Sequence, residues 1–420
     1  MERLIIKGGN PLKGEIAVHG SKNSALPLLA AAILEGGETI FHNCPNLRDV
    51  AATCKILNHL GCTVERDDNI IKINSSSLVN HDIPEHLMSE MRSSIIFLGA
   101  IISRCGKAKM CYPGGCDIGQ RPIDLHLSGL RQLGAIIDEE HGVLNCRCEG
   151  RLQGAKIVFS FPSVGATENI MIAATTAKGE TIINNAAAEP EIIDLANYLN
   201  KRGAIIKGAG ENTINIQGVD KLYGAEHIVI PDRIVTSTYL CAAAITGGEL
   251  LVTKTVPQHV AAVLPFLEQA GCKIIHGSDN IYIKAKHPLN AIKTVRTMPY
   301  PGFPTDAAAP MMAMATLANG SSIFVENIFE NRYKHVAELM KMGANINVEC
   351  KVSVVNGVKK LYGANVKATD LRGGASLILT GLAAEGTTYI TELSHIDRGY
   401  ECIEKSLSQI GADIQRTTDN

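Results

Sequence analysis

The sequence predicts an α/β protein made of six copies of one β-α-β-α-β-β unit, three units to a domain, each unit placing one apolar helix at its domain's centre. Three observations point there. A helix runs through a small-residue turn into a strand at Gly61, Gly134, Gly203, Gly271, Gly343 and Gly411, 68 to 73 residues apart. That period is too long for a solenoid and fits a supersecondary package. Ahead of each turn lies a stretch apolar on every side, which must be buried all round. Finally, the sixth unit stops near Ala412 to Arg416 without a closing strand, whereas a spare strand, Arg3 to Lys7, precedes the first unit.

The fifth unit shows the elements in order. Val295 to Met298 reads as a strand and Asp306 to Ala318 as a helix stopped by Gly320. Ser322 to Glu326 is a second strand, and Tyr333 to Met342 a second helix ending at Gly343. Ala344 to Glu349 and Val352 to Val355 form a hairpin pair. The second helix is amphipathic, with Val336, Leu339 and Met340 on one stripe. The first, Ala307-Ala308-Ala309-Pro310-Met311-Met312-Ala313-Met314-Ala315, has no polar face. Its counterparts are Ala25 to Leu34, Ser94 to Ile102, Asn169 to Ala177, Thr238 to Ile245 and Leu377 to Ala384. Six such helices exceed one core, so the expected domains are 21–230 and 1–20 plus 231–420. The N-terminal strand is expected to complete the C-terminal domain, with the ligand site in the cleft between domains.

Composition narrows the function. The 420 residues are 45% hydrophobic and 20% charged with a net charge of −2, an ordinary globular balance without the basic excess that nucleic acid or anionic membrane requires. Aromatic residues make up 4%, with no Trp, which disfavours base-stacking platforms. Met1-Glu2-Arg3-Leu4-Ile5-Ile6 has no secretory pattern, so a cytoplasmic protein is expected, a monomer or weak oligomer. The twelve cysteines include no Cys-x-x-Cys pair, and no Cys/His set has zinc spacing; neither metal nor cofactor is expected.

The repeat serves as its own control. From the glycine after the first helix to the glycine after the second, five units span 23 to 25 residues and the second spans 28. The excess lies in Tyr112-Pro113-Gly114-Gly115-Cys116-Asp117-Ile118-Gly119-Gln120. This is either a surface insertion with Cys116 incidental, or a mobile loop where a thiol beside an arginine is acidified. Thirteen residues before each turn glycine stand Arg48, Arg121, Pro190, Gln258, Glu330 and Arg398. Arg121 and Arg398 thus occupy equivalent places ahead of helix N-termini in different domains, either as surface arginines or as partners on one anion. Lys22, Arg92 and Arg372 stand at the starts of central helices, where a cation opposes the helix dipole and a bound anion would offset it. Asp306 there is either a cap or a base.

Several motifs then carry a family resemblance. They are Gly20-Ser21-Lys22-Asn23-Ser24-Ala25-Leu26-Pro27, Pro113-Gly114-Gly115-Cys116, Arg121-Pro122-Ile123-Asp124-Leu125-His126 and Ser163-Val164-Gly165-Ala166-Thr167. Phe303-Pro304-Thr305-Asp306, Ile328-Phe329-Glu330-Asn331-Arg332 and His395-Ile396-Asp397-Arg398-Gly399-Tyr400-Glu401 complete the set. End to end, the chain resembles the UDP-N-acetylglucosamine 1-carboxyvinyltransferases of the enolpyruvyl transferase family. The resemblance implies an inside-out α/β barrel fold and transfer of enolpyruvate from phosphoenolpyruvate to the 3-hydroxyl of UDP-N-acetylglucosamine, in peptidoglycan precursor synthesis. It implies that Lys22, Arg121 and Arg398 bind phosphoenolpyruvate, with Asn23 beside them. Cys116 would be the loop acid, able to form an adduct with phosphoenolpyruvate, and Asp306 the base at the sugar hydroxyl. Arg92, Arg121, Pro122, Ile123, Asp124, Leu125, Ser163, Val164 and Ile328 would line the sugar-nucleotide site. Two departures stand out: Ala308, where many members carry glutamine, and Phe161-Pro162 before the Ser-Val-Gly motif.

The chemistry needs these residue types. A phosphate and a carboxylate on one small substrate call for two or three cations. Protonating the methylene carbon needs an acid that can approach it, and the attacking hydroxyl needs a carboxylate to take its proton. The sister activity, 3-phosphoshikimate 1-carboxyvinyltransferase, should lack the cysteine loop. A ring-shaped DNA clamp would need basic helices rather than these apolar ones. A catalytically silent paralogue would share the fold without the chemistry.

Overall fold

The apolar helices of the repeat lie inside, and the sheets and amphipathic helices lie outside them. The computed structural model describes residues 2–114 and 123–418, and in it the chain divides into two units. One comprises described residues 2–19 and 231–418; the other comprises 20–114 and 123–230.

In the unit of residues 20–114 and 123–230, the central helices are Lys22–Ala31, Phe97–Cys105 and Val164–Thr175. Leu28, Leu29, Ala30, Leu98, Ile101, Ile170 and Met171 are completely buried, as expected of helices with no polar face. Amphipathic helices Arg48–Leu60, Asp124–Gln132 and Pro190–Lys201 pack one side inward. Strands alternate buried and exposed residues, the mark of sheets with one wet face. The strand order is Glu226–Ile228, Glu38–His42, Ile70–Asn74, Thr63–Asp67 in one sheet. A second runs Asp82–Ile83, Lys107–Cys111, Val143–Arg147, Ile136–Glu140, and a third Lys156–Val158, Glu180–Asn184, Thr213–Gln217, Ile205–Lys207. Glu226–Ile228, from the end of this unit, pairs in parallel with Glu38–His42 from its start, closing the ring of three repeats.

The other unit repeats the plan around helices Arg233–Thr246, Thr305–Ala315 and Leu371–Ala383. Its third sheet runs Asn365–Lys367, Thr387–Thr391, Glu2–Lys7, Asp413–Thr418. Glu2–Lys7 therefore fills the place of the strand missing from the sixth repeat, antiparallel to both neighbours.

Some boundaries differ from the sequence reading. Helix Thr305–Ala315 stops before Ala318 because Ala318–Asn319 pairs in parallel with Leu289–Asn290. The following helix spans only Val336–Lys341, since the Tyr333 hydroxyl donates to the Phe324 carbonyl at 3.1 Å and holds that stretch in turns. The repeat also keeps a glycine before its short parallel strands. A Cβ on Gly154, Gly224 or Gly363 would sit 2.2 Å from the Glu180, 2.2 Å from the Glu38 or 2.3 Å from the Thr387 carbonyl oxygen, so only glycine allows the close approach.

Candidate active site

Lys22, Asn23, Arg92, Ser163 and Asp306 stand at the N-terminal ends of the central helices of their units, whereas Asp124 and Arg398 lie on other segments. Each helix start needs caps for its exposed N–H groups, and Ser21, Ser163, Asp232 and Asp370 supply them. Asp232 accepts from Ile234 N at 2.8 Å and Val235 N at 3.0 Å; Asp370 accepts from Arg372 N and Gly373 N, both at 3.0 Å.

In the unit of residues 2–19 and 231–418, the centre is Asp306, in the first turn of Thr305–Ala315. Arg332 donates from Nη2 to Oδ1 at 2.7 Å. Arg372 donates from both Nε and Nη2 to Oδ2 at 3.2 Å. The side chains of Arg332 and Arg372 are only 4% and 3% exposed, while Asp306 retains 27% and so presents an edge outward. Burial pulls the Arg372 guanidinium down, but the neighbouring Tyr400, Asp306 and Asp232 outweigh it and its net shift is upward. The guanidinium stacks 5.3 Å over the Tyr400 ring, whose hydroxyl lies 2.9 Å from Thr238 Oγ1. His335 lies buried beside this group, pushed down to about 4 by burial. Arg372 is thus not an uncompensated cation at a helix start: a carboxylate of the same protein answers it.

Ile328 belongs to the same framework. Buried Glu326 accepts from Ile328 N at 2.8 Å, Phe329 N at 3.0 Å, Thr297 Oγ1 at 2.9 Å and Thr305 Oγ1 at 2.8 Å. One carboxylate therefore ties the Ile328 turn to the residue next to Asp306. Arg398 ends the six-residue 3-10 segment Leu393–Arg398 and is half-buried.

The other unit carries the remaining candidates. Lys22 and Asn23 open helix Lys22–Ala31 and are partly exposed. Lys22 Nζ lies 3.3 Å from Asp49 Oδ2, so here too a protein carboxylate answers the cation. Beneath them a buried network joins three elements. Ser24 Oγ donates to Asp194 Oδ2, and His227 Nε2 lies 2.8 Å from Asp194 Oδ1. Arg92 donates to the Pro113 carbonyl at 3.1 Å and is pulled down by burial. Ser163 and Val164 start helix Val164–Thr175 with partly exposed side chains. Ile123 is buried, Asp124 exposed and Leu125 half-buried at the start of Asp124–Gln132. Cys116, Arg121 and Pro122 lie outside the described residues.

A repeat signature sits behind two of these positions. Pro27 and Pro310 each stand four residues after a candidate, Asn23 and Asp306. Proline has no N–H, so neither candidate's carbonyl can receive the usual helical bond from that position. The first turns of both helices are opened by the same device.

Sequence reasoning did not assign Arg332 or Arg372 to Asp306, nor Asp49 to Lys22. The signal existed for Arg372, as a cation standing where a helix start disfavours it; Arg332 stands ahead of helix Val336–Lys341 and carried no such signal. For Asp49, Asp194 and Glu326 the sequence offers only buried carboxylates at ordinary-looking positions.

The chain is similar to known proteins over nearly its whole length. Residues 6–407 match the family model described as EPSP synthase (3-phosphoshikimate 1-carboxyvinyltransferase). UDP-N-acetylglucosamine 1-carboxyvinyltransferase 2 of Caldanaerobacter subterraneus subsp. tengcongensis is 51% identical, covering 99% of this chain and 100% of that protein. UDP-N-acetylglucosamine 1-carboxyvinyltransferase of Trichlorobacter lovleyi is 48% identical over the full length of both. Among solved structures, the enolpyruvyl transferase NikO from Streptomyces tendae superposes with a TM-score of 0.89 at 25% identity, covering 100% of this chain and 99% of that one. EPSP synthase from Acinetobacter baumannii shares the fold alone, at a TM-score of 0.78, 19% identity and full coverage of both chains. With a family model spanning nearly all of it and relatives near half identical along its full length, this chain belongs to the EPSP synthase family of enolpyruvyl (carboxyvinyl) transferases.

Proposed function

We propose that this enzyme transfers the enolpyruvyl group of phosphoenolpyruvate to the 3-hydroxyl of UDP-N-acetylglucosamine and releases phosphate. The observation that carries this reading is the full-length similarity to carboxyvinyltransferases named for that acceptor, at 48 to 51% identity. The outward edge of Asp306, gripped from behind by two arginines, supports it.

In this reading Lys22, Arg121 and Arg398 hold the phosphate and carboxylate of phosphoenolpyruvate, with Asn23 beside them. Cys116 delivers a proton to the methylene carbon, and the adjacent carbon becomes electrophilic. The sugar hydroxyl attacks that carbon while Asp306 accepts its proton. The tetrahedral adduct then returns a methyl proton to the Cys116 thiolate and expels phosphate, leaving the enol ether, as the cations offset the charge on the departing group. Arg92, Ile123, Asp124, Leu125, Ser163, Val164 and Ile328, with Arg121 and Pro122, line the sugar-nucleotide site. Cys116 also forms an adduct with phosphoenolpyruvate and is alkylated by the epoxide phosphonate fosfomycin. The enzyme works in the cytoplasm, as a monomer or weak oligomer, on the route to peptidoglycan.

Phosphate release tests the reading. The enzyme is mixed with phosphoenolpyruvate and either UDP-N-acetylglucosamine or shikimate 3-phosphate. Release with the first acceptor is expected; release only with the second, or with neither, sinks the assignment. For Cys116, mass spectrometry after fosfomycin and UDP-N-acetylglucosamine should show a modified thiol.

A further inference from the structure

We propose that Arg416 is a positioning residue for Arg398: from the last strand it grips Asp397 and so fixes the short segment that presents Arg398 to the anionic substrate. This rests on the reading that Arg398 binds phosphoenolpyruvate.

The grip is a fork. Arg416 Nη2 donates to Asp397 Oδ1 at 2.6 Å and Nη1 to Asp397 Oδ2 at 3.0 Å. Two parallel charge-assisted bonds fix direction as well as distance, which a point charge cannot do. The same guanidinium donates from Nε to Glu404 Oε1 at 3.1 Å and from Nη1 to Glu2 Oε2 at 3.4 Å. One cation thus joins the Arg398 segment, helix Ile403–Gln409 and the first strand. Its own strand Asp413–Thr418 is held in register by Glu2–Lys7, with Leu4 opposite Arg416, so the grip starts from a rigid base.

The gripped segment needs such a hold. Leu393–Arg398 is a single 3-10 stretch, preceded by Glu392 at φ 59° and followed, after Gly399, Tyr400 and Glu401, by Cys402 at φ 41°. Both of these non-glycine residues are in the left-handed region, which only surrounding contacts sustain. On its inner side the segment is anchored by Ile396, completely buried, and by the Tyr400 hydroxyl at Thr238. On its outer side, at the residue next to Arg398, the anchor is the Arg416 fork. Three carboxylates surround this one guanidinium. Removing it leaves them facing one another, and like charges would drive Asp397 out of place.

An ordinary surface ion pair adds little to stability, so the decisive readout is kinetic. Arg416→Gln, Arg416→Lys, Asp397→Asn and the Arg416→Gln/Asp397→Asn double variant are compared by phosphate release at varied substrate concentrations. The expected result for Arg416→Gln is a KM for phosphoenolpyruvate raised about five- to tenfold, with kcat and the acceptor KM within about twofold. Asp397→Asn should match it, the double variant should be no worse than either, and Arg416→Lys should fall between. Should Arg416→Gln fail to fold, Asp397→Asn carries the same test. Unchanged phosphoenolpyruvate KM with a lowered melting temperature would overturn the proposal, as would additive effects in the double variant. Arg398→Ala separates the two readings. If it raises the phosphoenolpyruvate KM while Arg416→Gln does not, only the positioning role fails; if it leaves that KM unchanged, both fall.

Discussion

Arg372 meets Asp306 side-on: its Nε and Nη2 both lie 3.2 Å from one carboxylate oxygen, Oδ2, while Arg332 takes the other oxygen at 2.7 Å. The carboxylate is held in one orientation by two buried guanidiniums and stays partly exposed, at 27% of its side chain.

Asp306→Asn tests what the exposed part of this carboxylate does. The amide has nearly the same shape but cannot accept a proton from an attacking hydroxyl. We expect kcat to fall about 10²- to 10⁴-fold, the usual worth of a general base, with smaller changes in KM. Phosphate release under saturating substrates measures this. A kcat within about fivefold of wild type would show that the carboxylate is not the proton acceptor.

The repeat was legible because it is written in glycine and apolar periodicity, both of which respond to local backbone and burial rules. Central helices announce themselves through apolar stretches such as Leu377 to Ala384. Asp306 and Lys22 were legible as polar residues at helix starts. Their partners were not. Arg332 is 26 residues from Asp306 and Arg372 is 66, and Asp49 is 27 from Lys22. Such pairs form only when separate elements, within one repeat or in neighbouring ones, pack onto one another, and side-chain direction is set by packing rather than by spacing. The dipole argument singled out Lys22, Arg92 and Arg372 as cations that a bound anion would offset; at Lys22 and Arg372 the structure supplies a carboxylate of the protein itself.

The cysteines divide sharply by environment. Burial pushes the thiols of Cys54, Cys62 and Cys272 up to about 11 and that of Cys146 up to about 12, and raises Cys241 as well. Cys350 and Cys402 are exposed. Since the thiolate is the nucleophile, brief iodoacetamide treatment at pH 8 should label Cys350 and Cys402 well before these five. Peptide mass spectrometry reads the order. Equal labelling of Cys241 would mean that the C-terminal core opens on the timescale of the reaction.

His126 predicts a pH dependence of stability. It is buried, with Nδ1 3.0 Å from Asn169 Nδ2, and is pushed down to about 3 by burial and then by Arg92. His335 is pushed down to about 4 by burial. Below the ordinary histidine value of ~6.5 the unfolded chain takes up protons that these folded sites refuse. Stability from both is therefore full above pH ~6.5 and is lost as pH falls toward the folded values, at up to ~1.4 kcal/mol per pH unit for each site. His126→Gln keeps an acceptor for Asn169 without the titration. Urea midpoints at pH 7 and pH 5 should differ less in His126→Gln than in wild type; an equal difference would assign the acid sensitivity elsewhere.

Glu168 predicts the opposite slope. It sits in the central helix Val164–Thr175 and is almost wholly buried. Burial first, then the nearby carboxylates Glu191 and Glu189, push it well above the usual carboxylate range. A raised acid is protonated in the folded state where the unfolded chain has already released its proton. Its contribution is thus complete below the unfolded value of ~4.3 and is lost as pH rises toward the folded one. Glutamine mimics the protonated acid in size and hydrogen-bonding capacity but cannot ionise. Glu168→Gln should therefore be more stable than wild type at pH 8 and should close that gap as the pH falls to 5. Thermal melts at the two pH values, with His126→Gln measured alongside, separate the two effects because their signs differ. If Glu168→Gln is less stable than wild type at pH 8, the carboxyl is ionised in the folded protein and a cation must be holding it.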